Sequence, residues 1–209
     1  MIELFDNLSQ LLAVALGCTL STVQYLRSRR TPWFLLSCFY GCFGLGLIYW
    51  LLYTSLVPDA SPMFYVSDIG WISCFLFLLV LQVGFAERGE HRRAGFLPWL
   101  SVILIVPLTI YYISLGDVLY NLIVGMLMIA ILWLALSGLA TARRHPQRSA
   151  SKTRFHLTMI AYILLENALW LSSYPWRGDS LVNPYFWCDF AVSISLLALY
   201  PAVRKAVAA

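Results

Sequence analysis

Three carboxylates interrupt long apolar segments of this sequence. Asp68 and Asp189 each stand near the start of such a segment, and Glu166 lies deep within another. A charged group in the hydrocarbon core of a membrane is costly, and it normally faces a partner, a cavity or the interior of a helical bundle. No lysine or arginine lies deep in these segments. The carboxylates therefore share protons, accept hydrogen bonds from tyrosine and serine, or bind a cationic ligand.

Glu166 lies about 12 Å below the nearer end of its segment, at 1.5 Å per residue of helix. Steps of three and four residues put Tyr162, Trp170 and Ser173 on the same helix face. That face would present a carboxylate flanked by aromatic rings to a ligand. The alternative interpretation is a protonated glutamic acid that hydrogen-bonds a neighbouring helix and binds nothing else.

Aromatic residues crowd the ends of the segments that carry the carboxylates. Such rings commonly form the interfacial belt of a membrane protein. Rings on the acid-bearing faces could also enclose an ammonium group by cation–π attraction. We therefore predict a ligand site formed by Glu166, Asp68, Asp189, Trp170, Trp50, Tyr162, Asn167 and Tyr53. The alternative for the two aspartates is that they anchor helix N-termini, where the helix dipole favours negative charge.

Several kinds of catalytic site are missing from the sequence. His91, His145 and His156 lie in connections or near the end of a segment, and no HExxH, CxxC, P-loop, GxGxxG or G-x-S-x-G pattern occurs. A retinal-type Schiff base would need a lysine deep in the last segment, whereas Lys205 lies at its end. We expect no enzyme activity, no metal, no cofactor and no nucleic-acid partner.

The apolar segments are long enough to cross a membrane. Hydrophobic residues make up 61% of the 209 residues and charged residues 11%, against about a quarter charged in soluble domains. About 20 apolar residues span a bilayer as a helix. We predict one all-α integral membrane domain over residues 1–209. Its seven transmembrane helices are expected at 5–26, 33–56, 64–86, 97–114, 117–141, 154–174 and 185–205.

The basic residues indicate how these helices are oriented. All lysines and arginines except Arg177 fall on one side: Arg27, Arg29, Arg30, Arg88, Arg92, Arg93, Arg143, Arg144, Arg148, Lys152, Arg154, Arg204 and Lys205. The positive-inside rule puts that side in the cytoplasm, the N-terminus outside and the C-terminus inside. The outer connections then carry Asp59, Asp117 and Asp179. The basic rim favours anionic membrane lipids as partners.

The chain also repeats itself. Residues 6–17 (DNLSQLLAVALG) align with 117–128 (DVLYNLIVGMLM), 47–53 with 167–173, and 64–73 with 185–194. The aligned pairs include Asp6 and Asp117, Gln10 and Asn121, Trp50 and Trp170, and Asp68 and Asp189. We predict two parallel three-helix units, at about 5–86 and 117–205, joined by a linker helix at 97–114. The repeat gives Asp68 and Asp189 equivalent roles.

Residues 29–81, RRTPWFLLSCFYGCFGLGLIYWLLYTSLVPDASPMFYVSDIGWISCFLFLLVL, combine four features. These are a basic-Trp entry, a Gly-rich second helix that ends in Trp50, a polar outer loop and a third helix led by Asp68. This pattern resembles the seven-helix membrane sensor domains found ahead of bacterial diguanylate cyclases and related output domains. Those domains often have an acidic residue three positions before the tryptophan, where this chain has Leu47 and Asn167, with Glu166 adjacent. The resemblance implies a sensor in the plasma (inner) membrane of a bacterium.

Three functions remain open. The resemblance and the carboxylates favour a sensor or receptor-like module that binds a small or lipidic ligand, such as a cationic one, between the repeats in an outward-facing pocket. Because no output domain follows Ala209, we expect signalling through a separate cytoplasmic partner. Two three-helix units with a linker also match small-solute transporters of the SWEET type, although the paired PQ motif is absent. A structural subunit of a membrane complex needs no pocket, and a homo-oligomer is compatible with each function.

Overall fold

The computed structural model describes residues 2–56, 65–86, 95–144, 146–173, 175, 178 and 180–208. These residues form seven helices and no strand. The helices are α1 (Ile2–Ser28), α2 (Thr31–Leu56), α3 (Tyr65–Phe85), α4 (Trp99–Leu115), α5 (Val118–Arg144), α6 (Pro146–Ser173) and α7 (Pro184–Val207). Each predicted span coincides with one helix, so the prediction of an all-helical fold is confirmed.

Six of these helices are long and apolar enough to cross a membrane. The qualifying stretches are Leu4–Ser28, Thr31–Leu56, Val66–Phe85, Val118–Ala142, Lys152–Ser173 and Pro184–Val207. The described residues therefore have the make-up of a multi-pass membrane protein. Helix α4 is apolar but has only 17 residues, which corresponds to about 26 Å, slightly less than the hydrocarbon thickness of a typical bilayer.

Six helices close into a ring. Within the first half of the chain α1 packs on α2 and α2 on α3, and within the second half α5 packs on α6 and α6 on α7. The halves meet at two interfaces, α3 against α5 and α7 against α1. Helix α4 connects the halves and packs mainly against α5, on the outside of the ring.

The interior of the ring is filled by large side chains from both halves. Phe39, Leu78, Ile131, Tyr162 and Leu196 are fully buried there. The outward faces are just as apolar, with exposed leucine, isoleucine and valine along most helices. Because lipid solvates an apolar exterior, these helices lack the polar stripe of helices in water-soluble proteins.

The ring is tightly packed where α1, α2 and α7 meet. The aromatic side chain of Tyr40 on α2 lies against Gly17 on α1. A Cβ atom added at Gly17 would come within 2.5 Å of the tyrosine Cζ atom. The Tyr40 hydroxyl donates to the carbonyl oxygen of Leu196 at 2.5 Å. Small residues at such interfaces allow close approach of membrane helices.

Basic side chains join the two halves at the end of the ring where α3 and α7 finish. Arg30, which precedes α2, donates to the carbonyl oxygen of Val207 on α7 at 3.1 Å. Lys152 on α6 donates to the carbonyl oxygen of Phe85 on α3 at 3.2 Å. Carbonyl groups at a helix C-terminus lack partners within the helix and favour cations. Each half thus caps the last helix of the other half.

One predicted connection proves shorter than expected. The span predicted at 154–174 belongs to a helix that begins at Pro146, so only residue 145 separates α5 from α6. Proline is tolerated in the first turn because no amide donor is needed there. Hydropathy alone does not detect such a polar extension. Several charged residues and histidines of the sequence analysis lie outside the described residues: Asp59, Arg88, Arg92, Arg93, Arg177, Asp179, His91 and His145.

Candidate functional site

A cavity of 340 Å³ lies at one end of the bundle. It is formed where α1, α3, α5 and α7 begin and where α2, α4 and α6 end. The basic caps on Phe85 and Val207 lie at the opposite end. Every helix contributes to the lining, so the cavity depends on the assembly of both halves.

Four carboxylates line this cavity. They belong to Asp68 on α3, Asp117 in the turn before α5, Glu166 on α6 and Asp189 on α7. The lining residues include no lysine, arginine or histidine within the part of the chain that the structure describes. The polar part of the lining also includes the side-chain amides of Asn7, Gln10 and Asn121 and the hydroxyl-bearing residues Tyr112, Tyr120, Ser173 and Tyr185. The cavity therefore offers negative charge and no fixed positive charge.

Glu166 occupies the deep side of the cavity and is 5% exposed. On its own helix it faces the Trp170 indole and the Tyr162 hydroxyl. The Tyr162 hydroxyl is buried and does not reach hydrogen-bond geometry with any described acceptor. Glu166 thus lies within the bundle, where a carboxylate needs a partner.

Asp68 lies in the first turn of α3 and is half-buried. The carboxylate of Asp117 lies within electrostatic range of it. Asp117 has a left-handed backbone, with φ of 48°, and directly follows Gly116, with φ of 139°. Asn121 holds this turn by donating to the carbonyl oxygen of Gly116 at 2.8 Å. The turn places a second carboxylate at the mouth of the cavity.

Asp189 has different surroundings. Its side chain is 2% exposed and accepts a hydrogen bond from the Gln10 amide of α1. The Asp6 carboxyl group lies beside it. One turn further along α7, the buried Ser193 hydroxyl has no hydrogen-bond partner among the described groups. Asp189 therefore joins α7 to α1 within the packed interior.

A wall of aromatic rings runs along the cavity from α2 to α5. The ring centroids of Trp50 and Trp71 are 6.4 Å apart, and those of Trp71 and Trp170 are 6.3 Å apart at an interplanar angle of 89°. The rings of Trp170 and Tyr120 follow at 6.2 Å. All four residues line the cavity. We call this group the aromatic wall.

A second aromatic group closes the bottom of the cavity. Phe43 and Phe75 are part of the lining. Beneath them, the rings of Phe39 and Tyr162 meet edge-on at 5.9 Å, and Phe75 lies 6.2 Å from Tyr162. These residues are buried, and they separate the cavity from the other end of the bundle.

Five of the eight predicted site residues line the cavity: Glu166, Asp68, Asp189, Trp170 and Trp50. The other three lie elsewhere. Tyr162 is in the closed bottom, as described above. The Asn167 amide donates to the carbonyl oxygen of Ile163 at 2.8 Å and faces the Met128 sulfur of α5. Tyr53 stacks on Tyr49 at 5.8 Å, beyond the cavity.

Other lining residues were not selected from the sequence: Asn7, Gln10, Trp71, Tyr112, Tyr120 and Asn121. Some had a usable signal. Gln10 and Asn121 each follow an aligned aspartate by four residues, which puts them on its helix face. Trp71 follows Asp68 by three. Tyr112, whose hydroxyl donates to the carbonyl oxygen of Asn167 at 3.0 Å, had no such signal because α4 lies outside the repeat.

The chemistry of the cavity suits an organic ligand better than a metal ion. Among the described residues, no three histidine, cysteine, aspartate or glutamate side chains converge as metal ligands. The carboxylates are instead spread around a cavity whose walls are largely aromatic. Single carboxylates beside rings are suited to a diffuse positive charge.

Comparisons with protein-family models, with curated proteins and with solved structures found no match to this chain. The resemblance to bacterial sensor domains therefore stays a prediction. The function is argued below from the residues of the cavity.

Proposed function

We propose that this protein is a membrane sensor module that binds a small or lipidic cationic ligand in the cavity and signals through a cytoplasmic partner. One observation carries the proposal: four carboxylates and the aromatic wall surround one cavity, and no basic residue lies among its described lining residues. The volume of 340 Å³ is sufficient for a small ligand, since such pockets measure about 300–1,000 Å³.

A cation in this cavity would be stabilised in two ways. It would pair with carboxylates that have no basic partner among the lining residues, and attraction between opposite charges is strong in a poorly solvated site. It would also contact aromatic faces, which attract cations by about 0.5–2 kcal/mol each, depending on solvation. An anion would meet neither kind of stabilisation.

We further propose that all seven helices cross the membrane, with the N-terminus outside and the cavity facing outward. The support comes from charge. Arg27, Arg29 and Arg30, as well as Arg204 and Lys205, belong to the end of the bundle opposite the cavity. The positive-inside rule assigns that end to the cytoplasmic side of a plasma membrane. The resemblance to bacterial sensor domains suggests that this membrane is bacterial.

The order of helices in the ring supports two parallel repeats joined by α4. The end of the first half, α3, packs on the start of the second half, α5, and α7 packs on α1 in the same way. The carboxylates follow this pattern, because Asp68 lies near Asp117 and Asp189 lies near Asp6. The caps made by Arg30 and Lys152 are also reciprocal.

Signalling would follow from the position of the ligand between the two halves. A ligand that contacts α3, α6 and α7 favours the arrangement of the halves that it fits best. The same halves meet at the basic end through the caps of Arg30 and Lys152. A change in their fit would therefore reach the surface that a cytoplasmic partner contacts.

A small-solute transporter is the main competing function, and a structural subunit is the second. The closed aromatic bottom beneath the cavity favours a binding module over a conduit. A cavity lined by carboxylates and aromatic rings favours a ligand-binding role over a purely structural one. The experiment below separates the three.

Native mass spectrometry of the gently purified full chain tests the proposal. The wild type is compared with Glu166→Gln, which removes the charge and keeps the shape, and with Leu164→Gln, which adds the same amide on an exposed part of α6. We expect a discrete co-purifying mass in the wild type and in Leu164→Gln, and its loss in Glu166→Gln. Heterogeneous lipid that is identical in all three would leave the structural subunit as the better interpretation.

A flux measurement completes the test. Proteoliposomes are loaded with the ligand identified by mass spectrometry, and its release is followed over time. A sensor binds the ligand without moving it across the bilayer. If release of the ligand from the proteoliposomes depends on the protein and is lost in Glu166→Gln, the protein is a transporter and the proposed sensor function is wrong.

A further inference from the structure

We infer that the ligand carries a methylated ammonium group and no phosphate, and that this group lies against the aromatic wall beside Asp68 and Glu166. The inference rests on the proposed function and names the ligand class for the same cavity. It follows from the charge of the cavity lining, the geometry of the aromatic wall and the difference in exposure between Asp68 and Asp189.

The charge of the lining excludes an anionic group on the ligand. A phosphate would face Asp68, Asp117, Glu166 and Asp189 without a lysine, arginine or histidine among the described lining residues to pair with it. Proteins recognise phosphate through such cations or through backbone amides at helix N-termini. Asp68 and Asp117 already occupy the N-terminal ends of α3 and α5 that face the cavity. Phosphocholine headgroups therefore do not fit, although they contain a methylated ammonium group.

The geometry of the aromatic wall suits a rounded cation. Trp71 and Trp170 are perpendicular, and Trp50 and Tyr120 are tilted from their neighbours by 52° and 46°. Rings at these angles present faces and edges in several directions around one space. Quaternary ammonium ligands are recognised by aromatic cages of this kind.

Two of the four carboxylates that line the cavity already face N–H or O–H groups of the protein. A primary ammonium group brings three N–H donors, each of which needs an acceptor at the correct angle. One acceptor, Asp189, already receives the Gln10 amide. Glu166 faces Tyr162 and Trp170. A fully methylated, quaternary ammonium group has no N–H donor and needs no directed acceptor, so the carboxylates stabilise it by charge alone.

The Asp68 side of the cavity is the accessible one. Asp68 is half-buried and Trp71 follows it by one turn, whereas Asp189 is 2% exposed and hydrogen-bonded to α1. A ligand that reaches the aromatic wall meets Asp68 first, and Glu166 lies deeper, beside Trp170. Asp189 lies behind the Gln10 amide and serves mainly to join α7 to α1.

Isothermal titration calorimetry with three probes tests this inference on the full chain in maltoside micelles. The probes are hexyltrimethylammonium, hexylammonium and hexylphosphocholine, which share a six-carbon chain. We expect hexyltrimethylammonium to bind about tenfold more tightly than hexylammonium, which equals about 1.4 kcal/mol, and hexylphosphocholine to show no saturable binding. Equal or tighter binding of either competing probe overturns the inference.

Two tryptophan variants locate the ammonium group. Trp71→Leu removes a ring of the aromatic wall, and Trp187→Leu removes an exposed ring from the same end of the bundle. We expect about tenfold weaker binding of hexyltrimethylammonium in the first and less than a twofold change in the second, in line with the strength of cation–π contacts. Because loss of Trp71 could loosen α3, Trp71→Phe serves as a second variant and should restore most of the binding. Unchanged binding in Trp71→Leu overturns the assignment to the wall.

Chain length distinguishes a soluble ligand from a membrane amphiphile. Tetramethylammonium that binds as tightly as hexyltrimethylammonium indicates a soluble ligand. Affinity that rises with each added methylene indicates an amphiphile, and both results support the methylated ammonium group. If no probe binds while native mass spectrometry shows a mass that is lost in Glu166→Gln, the inference falls and the proposed function stands. If neither is seen, both fall.

Discussion

Asp68 and Asp189 occupy matching positions in the two halves of the chain, yet their carboxylates meet different surroundings. Asp68 is half-buried beside the aromatic wall, near the mouth of the cavity. Asp189 is buried, accepts a hydrogen bond from Gln10 and joins α7 to α1. The first carboxylate is placed to meet a ligand, and the second is placed to hold two helices together.

Two sequence differences account for this divergence. Three residues after Asp68 stands Trp71, which builds the aromatic wall, whereas Val192 stands three residues after Asp189 and is fully buried. The residue aligned with Gln10 is Asn121, whose shorter amide donates to the carbonyl oxygen of Gly116. One carboxylate thus lies beside the aromatic wall, and the other forms a contact between two helices.

The largest expected difference between the two carboxylates concerns stability. Asp189→Ala leaves the buried Gln10 amide without its acceptor, and such a loss costs about 1–3 kcal/mol. Asp68→Ala should cost less than about 1 kcal/mol, because the half-buried site admits water. Unfolding of both variants in mixed micelles with increasing sodium dodecyl sulfate measures these costs. Equal losses would remove the distinction between the two sites.

Binding should show the opposite order. Asp68→Asn removes a charge that faces the aromatic wall, so hexyltrimethylammonium should bind about tenfold more weakly, equal to about 1.4 kcal/mol. Asp189→Asn keeps a side chain that can accept from Gln10, and binding should change by less than about twofold. Calorimetry on both variants makes the comparison. A larger effect at Asp189 would place the ligand on the opposite side of the cavity.

A double-mutant cycle sharpens the structural role of Asp189. Contacting residues usually couple by about 0.5–3 kcal/mol, and we expect a coupling of about 1 kcal/mol between Gln10→Ala and Asp189→Ala. The aligned pair, Asn121→Ala and Asp68→Ala, should be additive within about 0.5 kcal/mol. The same unfolding measurement supplies both cycles. Strong coupling in the second pair would restore equivalent roles for the two aspartates.

The smallest perturbation tests whether both carboxylates lie at the outer end. Single cysteines at positions 179 and 148, in a background without the five natural cysteines, are labelled with a membrane-impermeant maleimide. Residue 179 should react from outside intact cells and residue 148 only after permeabilisation. The reverse pattern would place the cavity at the cytoplasmic face.

The sequence was sufficient to predict the helices because spans of about 20 apolar residues are a strong signal. It was less informative at polar ends, and the start of α6 at Pro146 was missed for that reason. The repeat of the two halves stays a prediction, and the surroundings of Asp68 and Asp189 differ. Those surroundings depend on side chains from other helices.

The candidate site was predicted only in part. Three of the four cavity carboxylates and two tryptophans were identified because charge and aromatic rings stand out in apolar segments, whereas Asp117 was assigned only to a connection. Asn167 stands three residues before Trp170, where the sensor domains often have an acidic residue. Adjacent residues on a helix point about 100° apart, and Asn167 faces α5 while Glu166 lines the cavity. Gln10 was overlooked because its role appears only when α1 meets α7. Helices that are apolar on all sides do not reveal which face points inward.

The position of α4 has a practical consequence. Because α4 lies outside the ring, the covalent link between the halves passes through a segment that the ring itself does not require for closure. The protein should therefore work as two separately expressed pieces, α1–α3 alone and α4 with α5–α7, that find each other in the bilayer. Combining a variant piece with a wild-type piece would then change the cavity lining from one half only, without constructing each full-length gene.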